Sequence, residues 1–338
     1  MSIKKGSNTL VFENPISIKG YGNVVGTVEG KGPMKDLFDM VLSNDDFDEK
    51  TFEKAEAKLQ MTAVEKALSK SGLDISQIEL MAAGDLLNQC ISSSYSARDN
   101  NVPYIGLYGA CSTMALSIAV SSMTLESGFA KNAVAVTSSH FCSAERQFRF
   151  PLEYGGQRTP SAQRTVTGSG AVVLDLGPSS PVRVKSITLG SVVDYGVTDM
   201  NNMGAAMAPA AVDTLARFFT DTMTKPDDYD LILTGDLGHI GSGILRDMIA
   251  QRGFPITDNL NDCGLMIYDV KKQDIHAGGS GCGASACVLT AYVIPEMMAN
   301  RLKNVLFMST GALMSPTSNM QGESIPSIAH LINFVRED

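Results

Sequence analysis

The 338-residue chain has no tryptophan and four histidines, and its 27 lysines and arginines face 36 aspartates and glutamates, a formal net charge of −9. A chain so poor in positive charge lacks the electrostatic footprint that grips phosphate backbones, which excludes nucleic acid as an expected partner. No apolar run approaches the roughly 18 residues needed to span a bilayer. The start, MSIKKGSNTLVFENP, carries neither the apolar region nor the small-residue cleavage site of a secretory signal. The six cysteines (Cys90, Cys111, Cys142, Cys263, Cys282, Cys287) form no Cys-x-x-Cys pair and no metal-ligand spacing. They read as reduced thiols of a cytosolic compartment, with no metal and no cofactor expected.

What is present is a large core, with 44% hydrophobic and 19% charged residues and 31 glycines, the balance of a folded globular protein. The length suggests two domains or two halves, and an internal repeat supports the second. ELMAAGDL at 79–86 matches DLILTGDL at 230–237, an offset of 151. Ahead of them, Val64, Ala67 and Leu68 match Leu215, Phe218 and Phe219, each set on one face of an expected helix. KNAVAVTSS at 131–139 matches KNVLFMSTG at 303–311, an offset of 172, so the second half holds a loop insertion of about 21 residues by that difference of offsets. The seam falls near GPSSPVRV at 177–184, giving halves of 1–178 and 179–338. Helices alternating with strands imply βαβ-type units in an α/β fold, with a largely parallel sheet flanked by helices.

In such sheets ligands gather at the carboxyl ends of strands. Loops GDLLNQ at 84–89, YGACST at 108–113, TSSH at 137–140, TGDLGH at 234–239, HAGGSGCG at 276–283 and STGA at 309–312 fall there, and duplication converges them on one central pocket. Cys111 is the sharpest candidate, set between a glycine turn and an apolar helix. There the helix dipole and unpaired N–H groups would stabilise a thiolate. A small buried thiol is the alternative.

These features resemble the thiolase-like fold of thiolases and ketoacyl synthases, which places a cysteine at the start of the same helix. The strings AGDLLNQ, GACST, TSSH with AERQFRFPLEYGGQ, TVTGSGAVV, MAPAA, LILTGDL, NDCGL, GGSGCGAS and TGALMSPT resemble, over nearly the whole chain, the stage V sporulation protein AD family. That resemblance implies a homodimer that binds dipicolinic acid, with or without calcium, and assists its uptake into the developing spore. It further implies membrane-protein partners from the same operon and peripheral association with the inner spore membrane. The acid/base partners of thiolases and ketoacyl synthases are unmatched: Gly-His-Pro and Cys-x-Gly-Gly-Gly are missing, Asp236 stands near where a ketoacyl synthase supplies histidine, and His239 follows three residues later. A binding protein is therefore favoured over an enzyme. The alternatives are an acyltransferase using Cys111 as nucleophile and a scaffold docking to a membrane complex.

The candidate ligand set under this resemblance is Cys111, Ser139, His140, Asp85, Asn88, Asp236 and Gly281. Two helix starts, after Ala110 and after Cys282, would face each other and offer amides to the two carboxylates. His140, directly after a strand, would lie at the pocket mouth. Asp85 and Asp236 are either loop caps or ligand contacts through a protonated carboxyl or a bridging cation. Arg146, Arg149, Arg158 and Arg164 form either a positive entrance or a solvated face. His276 and His330 read as structural. The methionine-rich run at 200–210 suits core filling or a pliable pocket wall, and TVTGSG at 165–170 a strand entry.

Overall fold

The computed structural model describes residues 2–148 and 159–337; Arg149 and Arg158 lie outside them. The first half runs β1 (Ile3–Lys5), β2 (Thr9–Val25), α1 (Phe52–Ser71), β3 (Leu80–Gly84), α2 (Ile91–Asn100), β4 (Tyr104–Gly106), α3 (Thr113–Glu126), β5 (Asn132–Ser139), α4 (Phe141–Phe148), β6 (Arg164–Thr165) and β7 (Gly168–Leu176). The second runs β8 (Val182–Thr188), α5 (Met203–Thr222), β9 (Leu231–Thr234), α6 (Gly238–Gln251), β10 (Leu260–Asp262), α7 (Cys263–Ile267), β11 (Gly279–Ser280), α8 (Cys282–Val288), α9 (Ile294–Met298), β12 (Asn304–Ala312), α10 (Pro316–Met320) and β13 (Ser327–Arg336).

Among the described residues ten strands lie side by side in the order β10-β9-β12-β13-β8-β2-β7-β5-β3-β4, with β1 paired to β2. Reading outward from the central antiparallel β8–β2 pair, both halves show the same order and the same strand senses. The outer pairs β10–β9, β9–β12, β5–β3 and β3–β4 are parallel, and all pairs between β12 and β5 are antiparallel. The sheet is thus mixed, not largely parallel as expected. The last strand of each half runs back antiparallel beside the first, an insertion that local helix–strand alternation does not specify.

Side-chain alternation along the strands sorts the layers. On β5, Val134 and Val136 face the cluster around α1, while Ala133 and Ala135 face α3 and α8. On β12, Leu306 and Met308 face α5 and α6, while Val305 and Phe307 face the α3/α8 layer. Helices α3 and α8 are therefore sandwiched between the two half-sheets, with α1 and α5 outside. This explains why α3 is buried nearly all round, as expected of a helix that is apolar on every side. On α1, the Thr51 side chain caps the start by accepting from the Lys54 amide, and Gly72, at φ +71°, ends the helix in the left-handed region.

The halves differ most ahead of the central helices. Residues 107–112 join β4 to α3, but residues 263–281 join β10 to α8. This insertion contains α7 and β11, and β11 pairs in parallel with β6, aligning Gly279 with Arg164 and Ser280 with Thr165.

Candidate functional site

Cys111 sits on a tight elbow ahead of α3. Ala110 holds φ +49°, a left-handed conformation that costs a non-glycine residue about 1 kcal/mol or more. The turn is fastened from within. The Ser112 amide and hydroxyl both donate to the Gly109 carbonyl, at 3.0 and 2.6 Å, and the Thr113 hydroxyl donates to the Ala110 carbonyl at 2.6 Å. Gly311, on the end of β12, presses against the elbow so closely that a Cβ there would lie 2.2 Å from the Gly109 carbonyl oxygen.

Behind Cys111 lies Asp236, fully buried, whose carboxyl acts electrostatically on the thiol. Its oxygens are fixed by the Thr310 hydroxyl at 2.9 Å and the Gly281 amide at 2.9 Å, while its carbonyl accepts from Gln163 at 2.6 Å. Burial pushes the Asp236 carboxyl up to about 7. Burial, followed by the negative charge of Asp236, pushes the Cys111 thiol well above its ordinary value. The expectation of a thiolate stabilised by the helix start is therefore reversed. Cys111 precedes the cap residue Ser112, and the first amides after it turn back onto Gly109 and Ala110. Desolvation and a neighbouring carboxylate act on the thiol in the same direction.

The cleft over Cys111 is narrow, with a free volume of about 40 Å³, room for roughly three waters in this conformation. Leu86, Phe148, Met200, Met203 and Met314 are among its apolar walls; Tyr108, Glu145, Thr165 and Ser280 are its polar points besides Cys111. The Glu145 carboxylate accepts from the Thr165 hydroxyl at 3.1 Å. Part of the methionine-rich run thus forms pocket wall, while Met207 fills the core. Ser280 comes from the insertion, which has no counterpart in the first half, so the cleft is asymmetric. Among the described residues no histidine, lysine or arginine lines it, and no cluster of three or more His, Cys, Asp or Glu side chains is placed to hold a metal ion.

The facing pair of open helix starts is not found. At the α8 start the Gly281 amide is committed to Asp236 and the Gly283 amide to the Ser139 hydroxyl, at 3.1 Å. Gly281, at φ +101°, supports the site from behind; a Cβ there would lie 2.6 Å from Ser139 Oγ. Ser139 is buried away from the cleft and donates to the Val166 carbonyl at 2.7 Å. His140 is not at the mouth. Its Nε2 meets the Asp45 carbonyl at 2.7 Å, its Nδ1 accepts from the Cys142 amide at 3.2 Å, and burial lowers its pKa. Asp85 caps its own loop, accepting from the Leu87 amide at 2.9 Å and from the amide and hydroxyl of Ser93 at 2.8 and 2.6 Å. Asn88 is exposed in an adjoining outer groove, bonded to Gln147 at 3.0 Å. The structure thus brings together Cys111, Asp236 and Gly281, and leaves Asp85, Ser139 and His140 elsewhere.

The remaining candidates also have other work. His239 is exposed; His276 bridges Thr159 and Asp274; His330 is buried and accepts from the Gly190 amide. Arg146 pairs with Glu53, and Arg164 stacks on Phe141, 3.8 Å from the ring centroid, so neither forms a positive entrance. Sequence reasoning missed Glu145, Thr165 and Ser280, which carried no local signal beyond proximity to the candidate loops. It also missed Glu56 on α1, a carboxyl buried among Ser138 and Ser143, which donate to it at 3.0 and 2.9 Å. Burial and the Asp85 charge push Glu56 up to about 8.

The family model for stage V sporulation protein AD matches residues 6–335. The stage V sporulation protein AD of Bacillus subtilis (strain 168) is 46% identical over 331 residues, covering 98% of this chain and 97% of that protein. Among solved structures, 3-oxoacyl-[acyl-carrier-protein] synthase III from Aquifex aeolicus VF5 superposes with a TM-score of 0.56 at 12% identity, covering 94% of this chain and 99% of its own. A variant of Xanthomonas campestris OleA gives 0.60 at 12% identity, covering 96% of this chain and 99% of its own. At such identities these structures speak for the fold alone, which is thiolase-like.

Proposed function

Since the chain belongs to the stage V sporulation protein AD family, we propose that it binds dipicolinic acid in the cleft over Cys111 and assists the acid's uptake into the developing spore. The observation that supports this reading is the cleft itself, with apolar walls and polar points at Tyr108, Glu145, Thr165, Ser280 and the Cys111 thiol. Burial keeps the Tyr108 phenol protonated far beyond neutral pH, so it remains a donor. Acidic groups set a condition. A dianion approaching the cleft meets the Asp236 charge when that carboxyl ionises, so binding is favoured while Asp236 is neutral.

Calorimetric titration with dipicolinate, with and without calcium, tests the reading. Saturable binding, weakened tenfold or more in Cys111→Ala, is expected. Affinity should fall about tenfold between pH 6 and pH 8 as Asp236, raised to about 7, becomes charged, since one pKa unit corresponds to a tenfold change. Dipicolinate is a dianion throughout this range, so the dependence belongs to the protein. Absence of saturable binding at every pH rejects the reading.

Membrane proteins of the same operon and a second copy of this chain are the proposed partners, with the inner spore membrane as the place of work. The homodimer reading is supported by β4, which ends the sheet with an exposed Ile105; an open strand edge invites pairing. No helix among the described residues is long and apolar enough to cross a membrane, so the proposed membrane association is peripheral.

A second reading, acyl transfer through Cys111, is favoured by one observation, the left-handed Ala110 that thrusts Cys111 forward. Strain of this kind clusters at functional sites. Acylation of Cys111 by an acyl-CoA, seen as a mass shift on its peptide, would promote it.

A further inference from the structure

We propose that the outer groove beside the Cys111 cleft is a receiving site for a small aromatic carboxylate, held there by the side-chain amides of Asn88 and Gln89, and that Tyr108, Phe148 and Met314 form the partition it crosses to reach Cys111. The inference rests on the reading of the ligand given above and adds where that ligand first sits and how it enters.

Room is the first observation. The cleft over Cys111 has a free volume of about 40 Å³, too little for an aromatic ring that carries two carboxylates. The outer groove has about 410 Å³, within the range of small-molecule sites. Tyr108, Phe148 and Met314 line both, so the two are neighbouring chambers with one wall between them.

Charge is the second. Glu145 lines the inner cleft and Asp236 lies behind it, so an anion arriving there meets acids. Among the described residues no aspartate or glutamate lines the outer groove. It offers neutral donors instead. Gln147 Nε2 donates to Asn88 Oδ1 at 3.0 Å, which engages the acceptor end of that amide and leaves Nδ2 without a partner among the described residues. Asn88 and Gln89 are both exposed, and hydrogen bonds from such donors to a carboxylate are roughly twice as strong as neutral ones.

The backbone is the third. Gln89 at φ +57° and Cys90 at φ +50° are successive left-handed residues, neither of them glycine, a costly conformation that persists only where its surroundings hold it. The Cys90 amide donates to the Leu87 carbonyl at 3.1 Å, and Cys90 Sγ donates to the Leu107 carbonyl at 3.3 Å. This ties the bend to the residue before Tyr108, so that Asn88, Gln89 and Tyr108 line one groove.

Two measurements on the full chain test the proposal. The first uses no ligand: Cys111 is alkylated at about pH 9 by iodoacetate, itself a small carboxylate, and by neutral iodoacetamide, each read on the Cys111 peptide by mass spectrometry. Phe148→Ala should open the partition and speed both reagents about tenfold or more. Asn88→Asp and Gln89→Glu place a negative charge on the carboxylate's path and should slow iodoacetate about threefold or more relative to iodoacetamide. Asn88→Asp keeps the oxygen that accepts from Gln147. Gln251→Glu adds the same charge at an exposed position on α6, outside the groove, and should leave the ratio unchanged. The second is calorimetric titration with dipicolinate, which Asn88→Asp should weaken about tenfold. Unchanged rates in Phe148→Ala, or wild-type reagent ratios in both groove variants, overturn the proposal. Binding that Cys111→Ala weakens but Asn88→Asp leaves within twofold keeps the reading of the ligand and removes the groove as its site. If the wild type binds no dipicolinate, the reading of the ligand fails, and the alkylation ratios alone decide whether the groove receives carboxylates.

Discussion

Asp85 and Asp236 close equivalent strands, β3 and β9, in the two halves, within the same Gly-Asp-Leu string. Asp85 commits both oxygens to its own loop, to the Leu87 amide and to Ser93. Asp236 reaches outward, to Thr310 on β12 and to Gly281 before α8, and acts on Cys111 from the other half. The loop that caps itself is scaffold, and the one that does not is free to shape a site. The outer helices diverge similarly. At the offset of 151, Glu56 on α1 corresponds to Met207 on α5, so one half buries a carboxyl where the other buries a thioether. Duplication has kept positions and exchanged chemistry.

The sharpest way to break this comparison is to remove each carboxyl. Asp85→Ala strands the buried Leu87 and Ser93 amides, each worth about 1–3 kcal/mol when unsatisfied. A loss on the order of 3 kcal/mol in urea unfolding is expected, at least twice that of Asp236→Asn, which retains an acceptor. Equal losses would erase the distinction between a self-capped loop and an outward-facing one.

A smaller effect lies in the dependence of stability on pH. Burial raises Glu56 to about 8, Asp236 to about 7 and Asp262 to about 6. Raised carboxyl values mean that the folded state resists ionisation. Their contribution is full below the unfolded range near 4 and is lost as pH rises through the folded values. The thermal midpoint should therefore peak near pH 5 and fall by roughly 5 °C by pH 8.5. Glu56→Gln should flatten the decline up to about pH 8, and Asp236→Asn only its part below about pH 7. A flat wild-type profile would show that these acids ionise in the fold without penalty.

Much of this architecture is legible in the sequence because duplication writes it twice. The paired Gly-Asp-Leu loops, the glycine turn ahead of Cys111 and the apolar α3 all follow from spacing and pattern. What eludes such reading is set by contacts distant in the chain. Asp236 acts on Cys111 across 125 positions by their numbering. The wall at Ser280 depends on β11 pairing with β6, which two-residue strands do not announce. The helix starts are legible, but not that Asp236 and Ser139 take their amides. Burial of Glu56 on an otherwise ordinary α1 surface becomes visible only once Ser138 and Ser143 are placed beside it.

His140 offers the finest division between scaffold and site, and the smallest expected effect on the cleft. It follows β5, where the end of a strand faces the loops that bind ligands in parallel sheets, yet its ring is turned toward the segment before α1. The Nε2–H donates to the Asp45 carbonyl, Nδ1 accepts from the Cys142 amide, and Phe52 stacks at 5.1 Å. A ring so engaged is neutral, with its pKa lowered by burial, so its contribution is lost as pH falls below the ordinary histidine range, opposite to the buried acids. His140→Ala should cost about 2 kcal/mol of stability, from two lost hydrogen bonds and a ring contact. Dipicolinate affinity at pH 6.5 should stay within twofold of wild type. A tenfold loss of affinity in a variant of unchanged stability would instead place His140 in the ligand shell. The boundary of the site would then run through β5, and not beyond it at the Cys111 elbow.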